Sequence, residues 1–487
     1  MNKQTIILIY FATLLSLFSC SPSIKTDQQS NDQPDIFPDY REVTIPYNIA
    51  PLNFRMADES DGIFVEFRGK SGTLSVKGNK HIEIPAKKWS QLLEQNKGGE
   101  LEVSVTALQS GKWTAYQPFS MFVSADPVDY GIAYRLIAPG YEVYSKMGIY
   151  QRDLSNFNQD AIIENTLISG SCVNCHSFRL TNPDDMSLHI RGQKGGTVLK
   201  TGDEVKLLNT KTPKTISNFV YPFWHPGGKY VAYSVNNTRQ VFHETKDKRV
   251  EVIDAASDVV VYDVKNNETL YSDLLMTDDH FETFPTFSVD GKTLYFCRAG
   301  ARPMPMEYQE VRYNLCSIAF DPETGTFGNK TDTVFNAEVI GKSVTFPRPS
   351  PDGKYLMFTL VNYGNFSIWH KEADLYLMDL ASGETYPINA ANSDDTESYH
   401  SWSSNSHWFV FSSRRINGLY TRPFIAHIDE NGKAGKPFLL PQKDPDYYDG
   451  LLYSYNIPEF ISKKVNLDVR EVEQLANTSG TNVTQRE

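Results

Sequence analysis

The chain has 487 residues, with 47 lysine and arginine residues against 59 aspartate and glutamate residues, which gives a formal net charge of −12. This excess of acid argues against nucleic acid as a partner and against a basic membrane-binding face. Aromatic residues make up 13% of the chain and 26 residues are proline, a composition typical of a large all-β protein with many turns.

Residues 1–20 have the pattern of an export signal. A short basic start at Lys3 precedes an apolar run over residues 6–18, and Ser19 and Cys20 follow that run. Residues 17–20, Leu-Phe-Ser-Cys, resemble a bacterial lipobox, in which signal peptidase cuts before the cysteine and the new N-terminal Cys20 is acylated. The resemblance implies an envelope lipoprotein, with the outer membrane expected. An uncleaved anchor and an ordinary signal peptide are the alternatives.

Two segments separate the export signal from the main repeat. Residues 21–44 are rich in Ser, Gln, Asp and Pro, and this composition predicts a flexible tether. Residues 45–125 contain short alternating strands and one helix near residues 87–96, which predict a small β-sandwich of the immunoglobulin or fibronectin type. We find no binding constellation there and expect a spacer.

A hairpin pattern recurs through the region predicted as one domain, residues 126–465. A turn of the Pro-Asp-Gly-Lys type feeds an apolar strand at residues 226–233, 289–296 and 351–358, and a weaker copy lies at residues 404–411. The copies are about 60 residues apart, the length of a four-stranded propeller blade with generous loops. A second hairpin within each unit supplies the remaining two strands.

Ser350-Pro351-Asp352-Gly353 is the core of this repeat, and here the chain resembles the TolB-type propeller family. The resemblance covers about residues 170–462 and implies a propeller. With the segment before it and the number of repeats, we expect an all-β chain in which a small N-terminal β-sandwich precedes a six-bladed propeller, with five or seven blades as alternatives. Strands near residues 132–144 would complete a sixth blade begun at residues 454–460, and residues 466–487 would form a polar tail.

Cys172-Val173-Asn174-Cys175-His176 carries the strongest chemical signal in the chain. Cys-x-x-Cys-His is the spacing at which two thiols attach one haem c covalently and the histidine becomes its proximal ligand. Three alternatives use the cysteines differently: a structural zinc site, a redox-active dithiol and a simple disulfide.

The repeat register predicts where this motif lies. Aligning residues 183–185 with the turn at residues 226–228 puts Phe178 at the position of Tyr221 in the next blade, and the motif just before the innermost strand at a channel mouth. In this register His189 falls where other blades have apolar residues, so we predict it as the distal haem ligand, with Met186 second. Histidines of other blades could compete, namely His225, His280 and His400. With no second ligand the iron would be open to small molecules.

Cys297 and Cys316 lie in two predicted strands. In an oxidising compartment they could form a cross-strand disulfide, or they could be two buried small hydrophobic residues. The sequence favours neither reading.

No hydrolase or kinase signature is present, so the chain is not expected to be an enzyme of those classes. The expected function is periplasmic electron transfer or haem-based redox sensing, with a redox or envelope protein as partner. The alternative is a non-enzymatic binding module for a protein, peptidoglycan or glycan, with structural cysteines. A peroxidase-like enzyme with an open iron is a third possibility.

Overall fold

A computed structural model of the chain describes residues 24–138, 146–243, 250–478 and 480–486. These residues form a small N-terminal domain and a β-propeller. No helix among them is long and apolar enough to cross a membrane. The predicted signal peptide and Cys20 lie outside the described residues.

The N-terminal domain is a seven-stranded sheet with one helix, and a separate two-stranded pair lies beside it. Its elements are β1 (Gln28–Gln29), β2 (Ile36–Phe37), β3 (Val43–Pro46), β4 (Arg55–Met56), β5 (Gly62–Gly69), β6 (Gly72–Gly78), α1 (Ala86–Gln95), β7 (Gly99–Gln109), β8 (Lys112–Ala115) and β9 (Phe119–Ser124). The long strand β7 pairs with β9 through its first half and with β8 through its last residues. The strands expected as a sandwich are therefore joined by β7 into one hydrogen-bonded sheet.

Alternation of apolar residues explains the inner face of this sheet. Ile63, Val65 and Phe67 of β5 are fully buried, and α1 buries Trp89, Leu92 and Leu93 in the same apolar cluster. The Trp89 ring of α1 packs edge-on against Phe67, with ring centroids 5.3 Å apart. The segment predicted as a flexible tether is instead folded into this domain from Gln28 onward. Its apolar residues, such as Tyr40, are buried there.

Six further sheets, each of four or five strands, form the propeller. Blade one contains β13 (Cys172–Arg179), β14 (Asn182–Arg191), β15 (Gly196–Thr201) and β16 (Glu204–Asn209). Blade two contains β17 (Phe219–Trp224), β18 (Tyr230–Phe242), β19 (Val250–Asp263) and β20 (Glu268–Leu270). Blade three contains β21 (His280–Phe287), β22 (Thr293–Gly300), β23 (Asn314–Asp321) and β24 (Thr326–Phe335).

Blade four contains β25 (Ser343–Pro349), β26 (Tyr355–Val361), β27 (Asp374–Asp379) and β28 (Thr385–Pro387). Blade five contains β29 (Glu397–Trp402), β30 (Trp408–Ser413), β31 (Arg422–His427) and β32 (Phe438–Leu439). Blade six combines β10 (Gly131–Ile137), β11 (Gly148–Asp153) and β12 (Gln159–Glu164) with β33 (Ser454–Ile461), which pairs antiparallel with β10. Strands from the beginning and the end of the propeller segment thus share one sheet, which removes two open edges.

Every innermost strand carries the same one-residue bulge. At the bulge stands a non-glycine residue with φ between 46° and 54°, and the ladder register shifts there. These six residues are Cys175, Tyr221, Phe284, Phe346, Tyr399 and Ile457. Proline follows four of them, and proline has no backbone N–H that would need a partner at the bulge. His176 and His400 follow the other two.

The bulges correct the register that the sequence predicted for blade one. Cys175, rather than Phe178, occupies the position of Tyr221. The reason is the β13–β14 hairpin, which closes through a two-residue turn, Leu180-Thr181, with both residues at positive φ. The corresponding turn of blade two is longer. The motif therefore lies within the innermost strand and not before it.

The C-terminal segment is folded against the outside of the propeller. Helix α3 (Val469–Asn477) follows a short helix α2 (Tyr447–Gly450), and it buries Val472 and Ala476. Strands β34 (Thr481–Asn482) and β35 (Thr484–Gln485) then extend the outer edges of blades one and two through parallel pairing with β16 and β20. The predicted polar tail is therefore part of the fold.

The N-terminal domain packs on blade five and on the segment that follows it. One cluster of buried apolar residues runs through both parts of the chain. Polar contacts border it: the Arg55 guanidinium lies 2.5 Å from the Asp446 carboxylate, and the Lys436 ammonium lies 2.8 Å from that of Asp39. The domain is thus anchored to the propeller by its core as well as by ion pairs.

Candidate functional site at the channel mouth

A cavity of about 520 Å³ opens where the innermost strands of the blades converge. Four bulge residues line it: Cys175, Tyr221, Tyr399 and Ile457. The other two bulge residues extend this group, because the Phe284 ring lies 4.6 Å from that of Tyr221 and 4.2 Å from that of Phe346. The cavity thus ends on a layer of aromatic rings that occupies the centre of the propeller.

The cavity has a positive lining. Three arginines contribute to it, Arg135, Arg191 and Arg414, while the lining residues that the structure describes include no aspartate or glutamate. Arg191 is exposed at the end of β14. The guanidinium of Arg414 stacks over Trp369 at 4.7 Å and donates to the Gly418 carbonyl at 2.6 Å. In a chain of net charge −12, this concentrates positive potential at one opening.

Both thiols of the motif face this cavity. Cys172 is partly exposed and Cys175 is buried, and both are free thiols in the structure. The Cys172 Sγ lies 3.2 Å from the Sδ of Met147, another lining residue, and accepts a hydrogen bond from the Asn174 side-chain amide at 3.1 Å. The side-chain Oδ1 of Asn174 in turn accepts a hydrogen bond from the Arg135 guanidinium.

His176 lies outside the cavity lining. The ring is 2% exposed and packs between blades one and six, where the backbone carbonyls of Ala133 and Ile457 are near it without a hydrogen bond of ordinary geometry. Burial, with a smaller contribution from the Arg135 charge, lowers the pKa of His176 to about 3, so the imidazole is neutral.

His400 has the same place in blade five as His176 in blade one. Each follows a bulge residue directly. The Nε2 of His400 contacts the Met357 carbonyl of the preceding blade at 3.0 Å, and burial lowers its pKa to about 3 as well. An inter-blade packing role for His176 therefore has a structural counterpart in the same molecule.

The two predicted distal ligands also lie away from the cavity lining. His189 pairs with Asn174 across the hairpin, is buried, and has its Nδ1 3.4 Å from the Thr197 hydroxyl in β15. In the corrected register it matches small side chains: Ser234, Cys297, Thr359 and Ser412. Burial, and secondarily Arg191, lower the pKa of His189 to about 3. Met186, the second choice, is fully buried opposite Phe178.

The remaining histidine candidates also have local partners. His225 Nε2 contacts the Gly291 carbonyl of blade three at 3.2 Å, and its Nδ1 accepts from the Gly227 amide. His280, the first residue of β21, is partly exposed and lies beside Asp279 at 2.8 Å. Neither is among the residues that line the channel-mouth cavity.

The motif fits a covalent haem only in part. The cavity offers both thiols on one wall, but the imidazole that should ligate the iron faces the closed space between two blades. In this arrangement the donor set does not fit a c-type haem. Within the described chain, Cys172, Cys175 and His176 also do not converge as three ligands of one metal ion, which argues against a zinc site.

Cys297 and Cys316 are free thiols on opposite faces of blade three. Cys297 pairs with Leu315 across β22 and β23, so the next residue, Cys316, points to the other face. The two side chains belong to different buried clusters, and the disulfide alternative is wrong. Burial raises the pKa of both thiols, consistent with inert core residues.

The sequence did not single out Met147 or the three arginines of the lining, Arg135, Arg191 and Arg414. Arg135 and Met147 belong to strands or loops of blade six, upstream of the motif, and Arg191 ends β14. No local pattern marks them. They reach the motif because β10–β12 form the blade next to blade one, where Arg135 donates to Asn174 and Met147 contacts Cys172.

No protein-family model matches the chain, and no curated protein matches it. Among solved structures, the chain is similar to a DUF4784 family protein from Bacteroides caccae at 9% identity and a TM-score of 0.32, over 74% of this chain and 95% of that one. It is similar to the β-propeller domain of the Trilobed protease from Pyrococcus furiosus at 13% identity and a TM-score of 0.33, over 80% and 96%.

A third similar structure is prolyl oligopeptidase B from Galerina marginata, at 10% identity and a TM-score of 0.32. The match covers 82% of this chain and 62% of that one. At these values the similarity carries no inference about activity, and the propeller description rests on the strand pairing given above.

Proposed function

We propose that the chain is an envelope binding module whose channel-mouth cavity takes an anionic group of a peptidoglycan or glycan ligand. The observation that carries this proposal is the cavity lining, with three guanidinium groups and no carboxylate among the described lining residues. Guanidinium groups are the preferred protein partners of carboxylates and phosphates. A volume of about 520 Å³ suits a small molecule or the end of a larger one.

The neighbouring aromatic side chains support the same proposal. Trp369, Tyr221 and Tyr399 give the cavity flat apolar surfaces beside its charges. Such a combination of apolar walls and a few convergent polar groups is typical of ligand sites. On this proposal Cys172 and Cys175 are part of the wall and take no part in chemistry.

The test is calorimetric titration of the full chain with muramyl dipeptide, which carries a carboxylate, beside the neutral disaccharide di-N-acetylchitobiose. We expect the anionic probe to bind, and its affinity to fall at least tenfold in Arg191→Gln. Arg239→Gln is the matched control, since Arg239 is an exposed arginine near the cavity that does not line it. Absence of binding, or equal binding in Arg191→Gln, would contradict the proposal.

A covalent c-type haem is the second candidate, because both thiols of a Cys-x-x-Cys-His motif line one cavity. It would require His176 or another ligand to reach the cavity from where the structure places it, and the chain would then act in electron transfer or redox sensing. The discriminating experiment is haem staining of a denaturing gel after expression with cytochrome c maturation. Staining that disappears in Cys172→Ala/Cys175→Ala would establish this candidate and remove the first.

The cellular location is a proposal of its own, supported by the lipobox-like residues 17–20. We propose that Cys20 carries the lipid and that the TolB-like propeller is held at the outer membrane. Metabolic labelling with an alkyne fatty acid should mark the wild type and not Cys20→Ala. Labelling of both proteins would show that Cys20 is not the acylated residue.

A further inference from the structure

A cluster of two histidines and one aspartate lies at the junction of the N-terminal domain and blade five. The ligand atoms of Asp126, His407 and His427 all lie within 4.8 Å of one another. The His427 Nε2 is 3.6 Å from the Asp126 carboxylate, and the two imidazole rings are nearly parallel, with centroids 6.2 Å apart. Among the described residues this is the one group of three potential metal ligands brought so close together.

Each ligand comes from a different element. Asp126 follows β9 of the N-terminal domain, His407 lies in the turn before β30, and His427 ends β31. The turn holding His407 is tied to the domain linker, since Asn405 donates to the Pro127 carbonyl at 2.7 Å and Ser404 to Asp129. These contacts bring the three side chains together without help from the cluster itself.

The surroundings of both imidazoles resemble those of metal ligands. The Nδ1 of His407 faces the Ile428 carbonyl at 3.4 Å, which leaves its Nε2 for another partner. A metal-binding histidine commonly uses its second ring nitrogen in this way. The Trp408 ring packs edge-on against His427 at 4.8 Å and limits its rotation.

Hydrogen bonding alone accounts for part of this arrangement. Ser124 contacts both the Asp126 carboxylate at 3.3 Å and the His427 Nε2 at 3.4 Å. It does not account for His407, whose ring stacks beside His427 and has no role in that pair. Two imidazoles and one carboxylate with an open side are a ligand set that zinc commonly uses.

We propose that Asp126, His407 and His427 bind one divalent ion of the zinc type, which clips the N-terminal domain to blade five. Zinc–ligand bonds of about 2.0–2.1 Å place tetrahedral ligands roughly 3.4 Å apart, so two ligand atoms separated by 4.8 Å would have to approach each other by about 1.4 Å. Asp126 can supply that movement, because its side chain is 41% exposed. Water completes the fourth position.

The experiment is titration of the EDTA-treated full chain with Co²⁺, a spectroscopic substitute for Zn²⁺, followed by displacement with Zn²⁺. We expect one Co²⁺ per chain, with the visible absorption of a tetrahedral ion. His407→Gln and His427→Gln should each weaken Co²⁺ binding by at least about tenfold. Zn²⁺ should also raise the thermal midpoint of the wild type and leave that of both variants unchanged.

His81→Gln is the matched control, because His81 also lies beside a carboxylate, Glu83, at 3.7 Å, but has no second histidine in a cluster. It should bind Co²⁺ as the wild type does. The titration is repeated in Cys172→Ala/Cys175→Ala, so that thiolate–cobalt absorption at the channel mouth is recognised. No tetrahedral spectrum in the wild type, or one that survives both histidine substitutions, would overturn the proposal.

Discussion

Asp254 is a buried carboxyl group in blade two, and its environment makes stability depend on pH. Its Oδ2 accepts hydrogen bonds from the Asn365 and Asn236 side-chain amides, but burial outweighs them and raises its pKa from 3.8 to about 6. The folded state therefore holds the proton more tightly than the unfolded state. The stabilisation that comes from this tighter proton binding is complete below pH 4 and is lost as the pH rises through 6.

Asp254→Asn should remove this part of the pH dependence. A pKa rise of about two units corresponds to roughly 3 kcal/mol at most. Between pH 4 and pH 7 the free energy of unfolding of the wild type should therefore fall by up to that amount more than that of the variant. Urea unfolding at the two pH values measures the difference, with Asp203→Asn as a surface control. Equal pH profiles for wild type and Asp254→Asn would show that Asp254 titrates normally.

The buried imidazole of His176 contributes to stability through packing. Since it is buried between two blades as His400 is, His176→Ala should lower the free energy of unfolding by about 1–3 kcal/mol in protein that carries no haem. His400→Ala should cost at least as much, because it also loses the hydrogen bond to Met357. Thermal and urea unfolding measure both, beside His280→Ala at the surface. A fully stable His176→Ala would argue that the imidazole has no packing role.

Individual site residues were only partly predictable from the sequence. The spacing of Cys172 and Cys175 correctly drew attention to the wall of the cavity, because the motif is contiguous. The position of His189 was misjudged, since a two-residue turn at Leu180-Thr181 shortens the first hairpin relative to the others. Turn length shifts a register by whole residues, and a short polar segment does not reveal it.

At the scale of single elements, the bulged innermost strand is the recurring unit. The positive φ of Cys175, 46°, is shared by the equivalent residue in all six blades, so it belongs to the architecture and is not strain peculiar to the motif. β-Branched side chains tolerate this conformation poorly, and Ile457 is the one β-branched residue among the six bulge positions. Cys175→Val should therefore lower the thermal midpoint more than Cys175→Ala, by the equivalent of about 1–3 kcal/mol.

Cys175→Gly is the control for that comparison, because glycine adopts positive φ without steric cost. If Cys175→Val were as stable as Cys175→Ala, the left-handed conformation at this bulge would be contradicted. The bulge itself was not foreseen from the sequence. The sequence aligned Phe178 with Tyr221 by residue type, but residue type does not disclose the backbone conformation.

The C-terminal segment is the second element with a testable role. Deletion of residues 466–487 removes α3, uncovers apolar surface on blade one, and eliminates the ion pairs of Arg486 with Asp263 and Glu268, both 3.1 Å long. We expect a lower thermal midpoint and faster proteolysis of the outer strands. Deletion of residues 480–487 alone should have a smaller effect, since α3 stays. Unchanged proteolysis in the longer deletion would contradict this role.

For the whole molecule, the sequence predicted the class and the order of the parts. Regular turns at similar spacing predicted repeated four-stranded sheets, and the lone strands near residues 132–137 and 454–460 predicted a sheet shared between distant segments. The cavity could not be predicted in the same way. Its charge comes from Arg135, Arg191 and Arg414, which meet only when the sheets surround a common axis.

The shared sheet of blade six has a consequence for biosynthesis. β10 is made early, but its partner β33 emerges only about 300 residues later, so the ring cannot close during most of synthesis. Until then the edge of β10 can accept a strand from another chain, and two nascent molecules could exchange β33 and form an intertwined dimer. Newly made protein at high concentration should therefore contain such dimers, which dilute refolding would resolve into monomers.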